Sequence, residues 1–475
     1  RKLLHHLKYF QRNKAMPDQP ASHGSNNPRN NPRQHKKPTR RHPGAQLTRR
    51  GGIQWRRNTV RKDGRDMALI VQKFGGTSVA DAARLRNVAR IITDTYKQGN
   101  SVVAVLSAQG DTTDELIEKA REISPSPSRR EMDMLLSTGE QISCSLCAMA
   151  IEDLGYPAVS LTGWQAGFRT NSGYGNARIR RVVTDRVRDE LENKRRIVIV
   201  TGFQGVNKYD DVTTLGRGGS DTSAVALAAA LNADLCQIYT DVDGVYTADP
   251  RLVPSARKLT EITYDEMLEL ATLGAQVLHN RSVEMAKRYN VKLEVLSSFS
   301  GKPGTKVKEV VKSMEESHIS GVAKDKNIAR LALVGLEDTP GIAFKIFSLL
   351  ARNNVNVDII LQSIGRSDTK DISFTVAKAD MELAQKLLED NRDSIRFDRI
   401  DVSDNIAKVS IVGAGMINSP GVAAAMFEAL FNAGINISMI STSEIKVSVL
   451  VHISDADRAV QVIHQRFYDE FENAR

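Results

Sequence analysis

The chain has 475 residues, of which 41% are hydrophobic and 26% charged, with a formal net charge of +10. That length has room for two to four domains, and no run of 18 or more apolar residues is present to cross a membrane as a helix. Its three cysteines, Cys144, Cys147 and Cys236, are too few for a disulfide framework and suit a reducing cytoplasm.

The positive charge is local. Residues 1–66 hold 18 Lys+Arg against 3 Asp+Glu, and the remaining chain holds 48 against 53. This basic segment is rich in Arg, Asn, Pro and His and has no apolar periodicity. It is expected to be disordered, because it buries too little surface to offset chain entropy. Met67 stands just before the first good strand pattern, and the expectation is that the true start lies there. The alternatives are a transit peptide and a polyanion-binding arm, in which runs such as His35–Arg41 meet phosphates. A nucleic-acid-binding function has no support outside this segment.

From Met67 onward, short apolar runs alternate with amphipathic helices. Leu69–Phe74 reads as a strand, and Asp81–Tyr96 as a helix with Leu85, Val88, Ile91 and Ile92 on one face. Val102–Leu106 is a strand and Ser143–Leu154 a helix. Ile197–Thr201 and Ile238–Thr240 are strands, with the helix Ala224–Leu231 between them. The pattern predicts an α/β fold, a mostly parallel sheet with helices on both faces, over residues 67–305. Ligands on such sheets bind at the carboxyl ends of the strands, where the Gly-rich turns of this chain fall.

Residues 306–324 read as a linker, within which Ile319–Ala323 is a strand candidate for pairing with a later domain. An internal repeat follows. Ile328-Ala-Arg-Leu-Ala-Leu-Val-Gly335 is echoed by Ile406-Ala-Lys-Val-Ser-Ile-Val-Gly413, Pro340-Gly341 by Pro420-Gly421, and Asn356-Val-Asp358 by Asn436-Ile-Ser438. The order strand, Pro-Gly turn, helix (Phe344–Asn353 and Ala423–Ala433), strand, strand predicts two ferredoxin-like domains, at 325–395 and 404–475.

Three strings carry chemistry. In Lys73-Phe-Gly-Gly-Thr-Ser78, adjacent glycines between strand and helix let backbone N–H groups approach a phosphate, and Lys73 adds a point charge. In Thr214-Leu-Gly-Arg-Gly-Gly-Ser-Asp-Thr222, Arg217 is placed to grip a carboxylate, and Ser220 or Asp221 is expected to cap the next helix. In Thr240-Asp-Val-Asp-Gly-Val-Tyr-Thr-Ala-Asp-Pro-Arg251, acidic residues and Tyr246 would face a nucleotide, a reading that competes with a plain turn at Asp243-Gly244. Cys144 and Cys147 read as a buried helical pair and not as a metal site.

In this order, and together with Ser107-Ala-Gln-Gly-Asp-Thr-Thr-Asp114, Leu136-Ser-Thr-Gly-Glu-Gln141 and Gly202-Phe-Gln-Gly205, the strings resemble the amino-acid kinase superfamily, and aspartate kinases in particular. The repeat resembles paired ACT domains. The resemblance implies transfer of a phosphoryl group from ATP to the side-chain carboxylate of aspartate, with Mg²⁺ carried by ATP and no metal held by protein side chains. It implies that Lys73 and Asp221 are catalytic. Lys73, Phe74, Gly75, Gly76, Ser78, Thr240, Asp241, Tyr246, Asp249 and Arg251 would meet ATP. Ser107, Thr113, Glu140, Arg217, Gly218, Gly219 and Ser220 would meet aspartate, with Glu140 on its ammonium and Arg217 on its α-carboxylate. Gln109 and Gln276 depart from the family pattern. Lysine, threonine or both would bind Asp338, Gly341, Ile342, Ala343, Asn356 and Gln362 in the first ACT domain, and Met416, Pro420, Gly421, Val422, Asn436 and Ile437 in the second. The resemblance also implies a homo-oligomer formed through the ACT domains, and raises a separate small subunit starting near Met314. The competing readings are a kinase for glutamate and a non-catalytic amino-acid sensor.

Overall fold

The computed structural model describes residues 67–273, 277–311, 319–364 and 369–470, with short strand pieces at 45–47, 53–55, 61–62 and 65–66. Most of the basic segment, Gln276 and Met314 lie outside the described residues. Residues 1–60 form one unit, in which Ala45–Leu47 pairs antiparallel with Ile53–Trp55. Residues 61–475 form the other.

The larger unit is organised by an eight-stranded sheet. Its order is Glu261–Thr263, Thr305–Lys308, Leu293–Ser297, Leu235–Thr240, Leu69–Phe74, Ser101–Leu106, Ile197–Thr201 and Ala158–Leu161. All neighbours are parallel except Leu293–Ser297 with Thr305–Lys308. Alternation along Ser101–Leu106 sends Val102, Ala104 and Leu106 to one core and Val103 and Val105 to another. On the first face lie Ala82–Lys97, capped by Asp81, and the long helix Arg129–Asp153, capped by Ser128. On the second lies Gly219–Leu231, whose small apolar side chains are buried almost all round.

Arg129–Asp153 is long and apolar enough to pass as a membrane span by composition. Here it is a core helix, which packs Cys144, Cys147 and Ile151 among the strands and buries Asp133 and Glu140. The two cysteines are free and buried, and burial raises both thiols above their ordinary range.

Three boundaries differ from the sequence reading. The long helix begins at Arg129, well before Ser143, because Ser128 caps a run that holds no proline and continues through Gly139. The helix expected from Ala224 begins at Gly219. Residues 306–308 belong to the sheet strand Thr305–Lys308 and not to a linker, since Thr305 and Val307 alternate inward while Lys306 points out.

The repeat forms two four-stranded antiparallel sheets with helices against them. The first is ordered Val357–Ile364, Thr369–Ala377, Ile328–Glu337, Arg399–Ser403. The second is ordered Gly321–Asp325, Ile406–Val412, Lys446–His452, Met439–Thr442. Gly321–Asp325 precedes the first copy yet completes the sheet of the second, so the second domain is built from two separate stretches of chain.

This strand also fastens the second copy to the larger domain. The Val322 N–H donates to the Thr247 carbonyl at 2.8 Å. Glu266 accepts from the Ser320 hydroxyl at 2.5 Å and from the Ala414 N–H at 3.0 Å. Thr247 Oγ1 and His464 Nε2 are 2.9 Å apart and buried. Ala248 and Val253 enter the apolar core formed by Ile319, Val322, Ile463 and Phe467.

Candidate active site

The carboxyl ends of the two central strands, Leu69–Phe74 and Leu235–Thr240, together with the amino end of Gly219–Leu231, gather the Gly-rich turns at one end of the sheet's middle. Lys73 Nζ lies 2.7 Å from Asp221 Oδ1, with both side chains only slightly exposed. They come from residues far apart in sequence. Asp221 occupies the first turn of its helix, where the macrodipole favours an anion, and its Oδ2 accepts from the His279 N–H at 3.4 Å. The Lys73 contact lacks the alignment of a hydrogen bond, so it is an ion pair held mainly by charge.

Neither Ser220 nor Asp221 caps this helix. The N-cap is Gly218, in a left-handed conformation at φ 66°, and it supplies no side chain. Both chemistry-bearing residues therefore sit inside the first turn. A β-carbon on Gly218 would lie 2.1 Å from Cγ of His279, and φ > 0 disfavours any side chain there. Gly218→Ala is therefore expected to lower kcat/KM for the phosphoryl acceptor at least about tenfold, and steady-state kinetics would check it. The ring of His279 is half-buried, and desolvation holds its pKa below the ordinary range. Its Nδ1 accepts from the Arg281 N–H at 3.3 Å, which leaves Nε2 to carry the proton of the neutral ring.

The Lys73 turn is tight. A β-carbon on Gly76 would stand 2.8 Å from the Ala108 carbonyl oxygen, so glycine lets the Ser107–Asp111 loop approach. The Gly110 N–H donates to the Gly76 carbonyl at 3.1 Å, and Gln109 Nε2 to the Val79 carbonyl at 2.8 Å. Ser107 closes the same corner, with its N–H on the Phe74 carbonyl and its own carbonyl accepting from Ser143 Oγ. Thr113 is half-buried in the first turn of Thr112–Ile123.

Behind this loop lies Glu140, 3% exposed. Its Oε1 accepts from the Ala108 N–H at 3.3 Å, and its Oε2 has no hydrogen-bond donor among the described residues. Burial pushes its carboxyl up to about 8. Arg217 lies exposed on the turn before Gly219–Leu231, with no ion pair recorded among the described residues. A buried acid without a counter-charge suits a cation, and an exposed guanidinium without a carboxylate suits an anion.

Several residues expected at ATP or aspartate have partners within the chain itself. Phe74 is fully buried and stacks on Tyr239 at 4.7 Å, so its ring belongs to the core. The hydroxyl of Ser78 is buried against that of Ser298 at 2.8 Å. The Gly75 N–H donates to the Tyr239 carbonyl, and the Gly219 N–H to the Gly216 carbonyl. On the next loop, the Tyr246 hydroxyl donates to Asp243 at 2.6 Å, and Thr240 Oγ1 to Asp241 at 2.9 Å. Arg251, largely exposed, folds back on Asp249 with two hydrogen bonds from its side chain. Lys258 joins this group, 3.4 Å from Asp243. No cluster of three or more His, Cys, Asp or Glu placed to hold a metal is found among the described residues.

In both repeats the Pro-Gly turn starts a helix from a left-handed glycine, Gly341 at φ 95° and Gly421 at φ 96°. Ile342 and Val422 are buried under the turn, whereas Asn356, Gln362, Pro420 and Asn436 are exposed, and Ala343, Met416 and Ile437 are half-buried. Asp338 pairs with Lys370 in the first copy.

His279, Arg281 and Asp133 escape the sequence reading. His279 and Arg281 follow no string that marks a site. Asp133 stands seven residues before Glu140 on the same helix, a helical spacing that would have placed both on one buried face.

A doubly faced α/β kinase fold whose Gly-rich turns meet a lysine–aspartate pair, followed by two ACT-like domains, defines an amino acid kinase with a regulatory pair. Residues 68–297 match the amino acid kinase family, and residues 331–391 and 409–467 the ACT domain. The chain belongs to the aspartokinase family. It is 53% identical to an aspartokinase of Mycolicibacterium smegmatis over 406 residues, covering 84% of this chain and 96% of that one. It is 52% identical to one from Bacillus sp. strain MGA3 over 401 residues, covering 84% and 97%. Among solved structures it is similar to E. coli aspartokinase III in complex with aspartate and ADP, at 28% identity and a TM-score of 0.72, covering 84% of this chain and 100% of that one.

Proposed function

We propose that the chain transfers the γ-phosphoryl group of ATP to the β-carboxylate of L-aspartate, giving 4-phospho-L-aspartate, the first step towards lysine, threonine and methionine. The observation that carries this reading is Glu140, a buried carboxylate with one oxygen lacking a donor, which suits the α-ammonium of an amino acid. Arg217 takes the α-carboxylate. The distance between them then decides how far the side-chain carboxylate reaches.

In the reaction, a β-carboxylate oxygen attacks the γ-phosphorus, and the bond to the bridging oxygen of the β-phosphate breaks, its electron pair leaving with ADP. No proton moves, so no general base is needed. The obstacle is repulsion between anions, which alignment and nearby positive charge must overcome. Lys73 supplies that charge, and Asp221 holds it in place. The amino end of Gly219–Leu231 adds a favourable dipole for a phosphate. Asp241, Tyr246, Asp249 and Arg251 form the loop that would meet the nucleotide. Mg²⁺ arriving on ATP would neutralise phosphate charge, and Asp221, paired with Lys73, would orient the lysine or a water bound to such an ion.

The ACT pair acts as the sensor, binding lysine, threonine or both at the Pro-Gly turns and Asn356 or Asn436. Inhibition requires the effector to prefer one arrangement of the domains over another. The contacts of Thr247 with His464 and Val322 join the second ACT domain to the nucleotide loop, the place where such a preference is felt. The enzyme works in the cytoplasm as a homo-oligomer formed through the ACT domains, and a small subunit begun near Met314 would be a second form of the regulatory half.

The test is ATP-dependent aspartyl phosphate formation, trapped with hydroxylamine, with lysine and threonine added singly and together. Activity that falls with an effector is expected and names it. Activity with another carboxylate but none with aspartate would overturn the substrate. No activity with any would favour the sensor reading.

A further inference from the structure

The turn that carries Arg217 is tied to the helix that carries Glu140 by one buried residue, Asp133. We infer that Asp133 is a positioning residue that sets the spacing of the amino-acid clamp, and with it the preference for aspartate over longer amino-acid carboxylates. This inference rests on the substrate reading above.

Asp133 is 1% exposed. No ion pair to it is recorded among the described residues, and its hydrogen bonds go to two places. Thr214 donates its hydroxyl to Oδ1 at 2.6 Å and its N–H to Oδ2 at 2.9 Å. The Gly175 N–H lies 3.0 Å from both oxygens. Both partners flank the clamp. Thr214 is three residues before Arg217 in the chain. Gly175 and Asn176 support the turn from outside, since a β-carbon on Gly216 would stand 3.2 Å from the Gly175 carbonyl oxygen and 3.3 Å from Asn176 Oδ1.

On its own helix, Asp133 lies two turns before Glu140, about 10 Å along the axis. The Asp133 carboxylate therefore ties the arm bearing the guanidinium to the arm bearing the acid. The start of the same helix is pinned again by Arg130, whose Nε donates to Asp211 at 3.0 Å, while Asp211 also accepts from the Tyr174 hydroxyl at 2.8 Å. A buried carboxylate with no cation beside it is costly to hold. Packing alone would be met by a neutral residue. What the carboxylate adds is acceptor capacity for three donors at once, and all three belong to the segments around Arg217.

The test uses the full chain and the hydroxamate assay, with aspartate and glutamate as acceptors, the KM for ATP as internal control and the thermal midpoint as a check on folding. Thr214→Val is expected to raise the KM for aspartate about tenfold and to narrow the aspartate-over-glutamate ratio of kcat/KM, with the KM for ATP unchanged. Thr214→Ser, which restores the hydroxyl, should return both to within about twofold of the parent. Asp133→Asn should act in the same direction and more strongly; if it does not fold, the Thr214 pair still decides. Placed on Arg217→Ala, Thr214→Val should add nothing further.

The inference is overturned if Thr214→Val shifts the constants for aspartate and ATP alike, or lowers only the thermal midpoint. If Arg217→Ala leaves the KM for aspartate unchanged, the clamp itself is wrong. If Arg217→Ala raises that KM and Thr214→Val does not, the clamp stands and the positioning role of Asp133 falls.

Discussion

Replacing Lys73 by alanine is expected to lower kcat by roughly 10²–10³ while moving the KM for aspartate by no more than about twofold. The reason lies in how the charges are divided. Glu140 and Arg217 hold the amino-acid end of the substrate, whereas Lys73 stands 2.7 Å from Asp221 at the amino end of Gly219–Leu231. Its charge acts where the γ-phosphoryl group accumulates negative charge in flight, which is a transition-state effect. The fold should survive the substitution, because Asp221 keeps the helix dipole and the His279 N–H. Lys73→Arg should not rescue turnover, because a planar guanidinium spreads the charge that the ammonium concentrates at one point, 2.7 Å from Asp221 Oδ1. Asp221→Asn should cost less than Lys73→Ala, since it leaves the cation in place. Steady-state kinetics on the three variants decide the matter. An unchanged kcat for Lys73→Ala, or a loss carried wholly by KM, would remove Lys73 from the transfer step.

How much of this was legible in the sequence depends on whether a local pattern encodes it. The strand Ile197–Thr201 is a continuous apolar run buried on both faces, and both its ends were readable. The helix from Gly219 was read five residues short, because Gly-Gly-Ser-Asp looks like loop and cap. Only the left-handed Gly218 lets the helix start before them. Residues 306–308 read as linker because a four-residue strand with two lysines gives a weak alternation, and its partners lie at residues 261–263 and 293–295. Such long-range pairing is invisible to a local window. The Gly-rich strings exposed the site because close approach of backbone to ligand demands glycine over a long stretch. His279 was not legible, and Asp133 only as a residue on the buried face of the Glu140 helix, since their roles come from tertiary neighbours, Gly218 for the one and Thr214 and Gly175 for the other, that only the folded chain brings together.

Glu140→Gln is expected to move affinity and stability in opposite directions. In the free protein, burial lifts the Glu140 carboxyl from 4.5 to about 8, so near neutrality the folded state holds a proton that the unfolded chain has released. Between those two values the folded state therefore loses stability as pH rises, by roughly 1.4 kcal/mol per pH unit from this group. Glutamine has no such proton, so unfolding midpoints of the variant and the parent should diverge in the variant's favour from pH 6 to pH 8.5. Substrate reverses the balance. An α-ammonium beside Oε2 stabilises the carboxylate, so aspartate binding should release a proton, and the parent's KM should fall as pH approaches about 8. Glu140→Gln should raise the KM for aspartate by about 10²–10³, the scale of losing one partner of a buried ion pair, and abolish that pH dependence. Calorimetry in buffers of different ionisation enthalpy would count the proton. A parent KM that is flat from pH 6.5 to 8.5, with no proton released, would mean that the ammonium is held elsewhere and that Glu140 is a buried acid serving the fold alone.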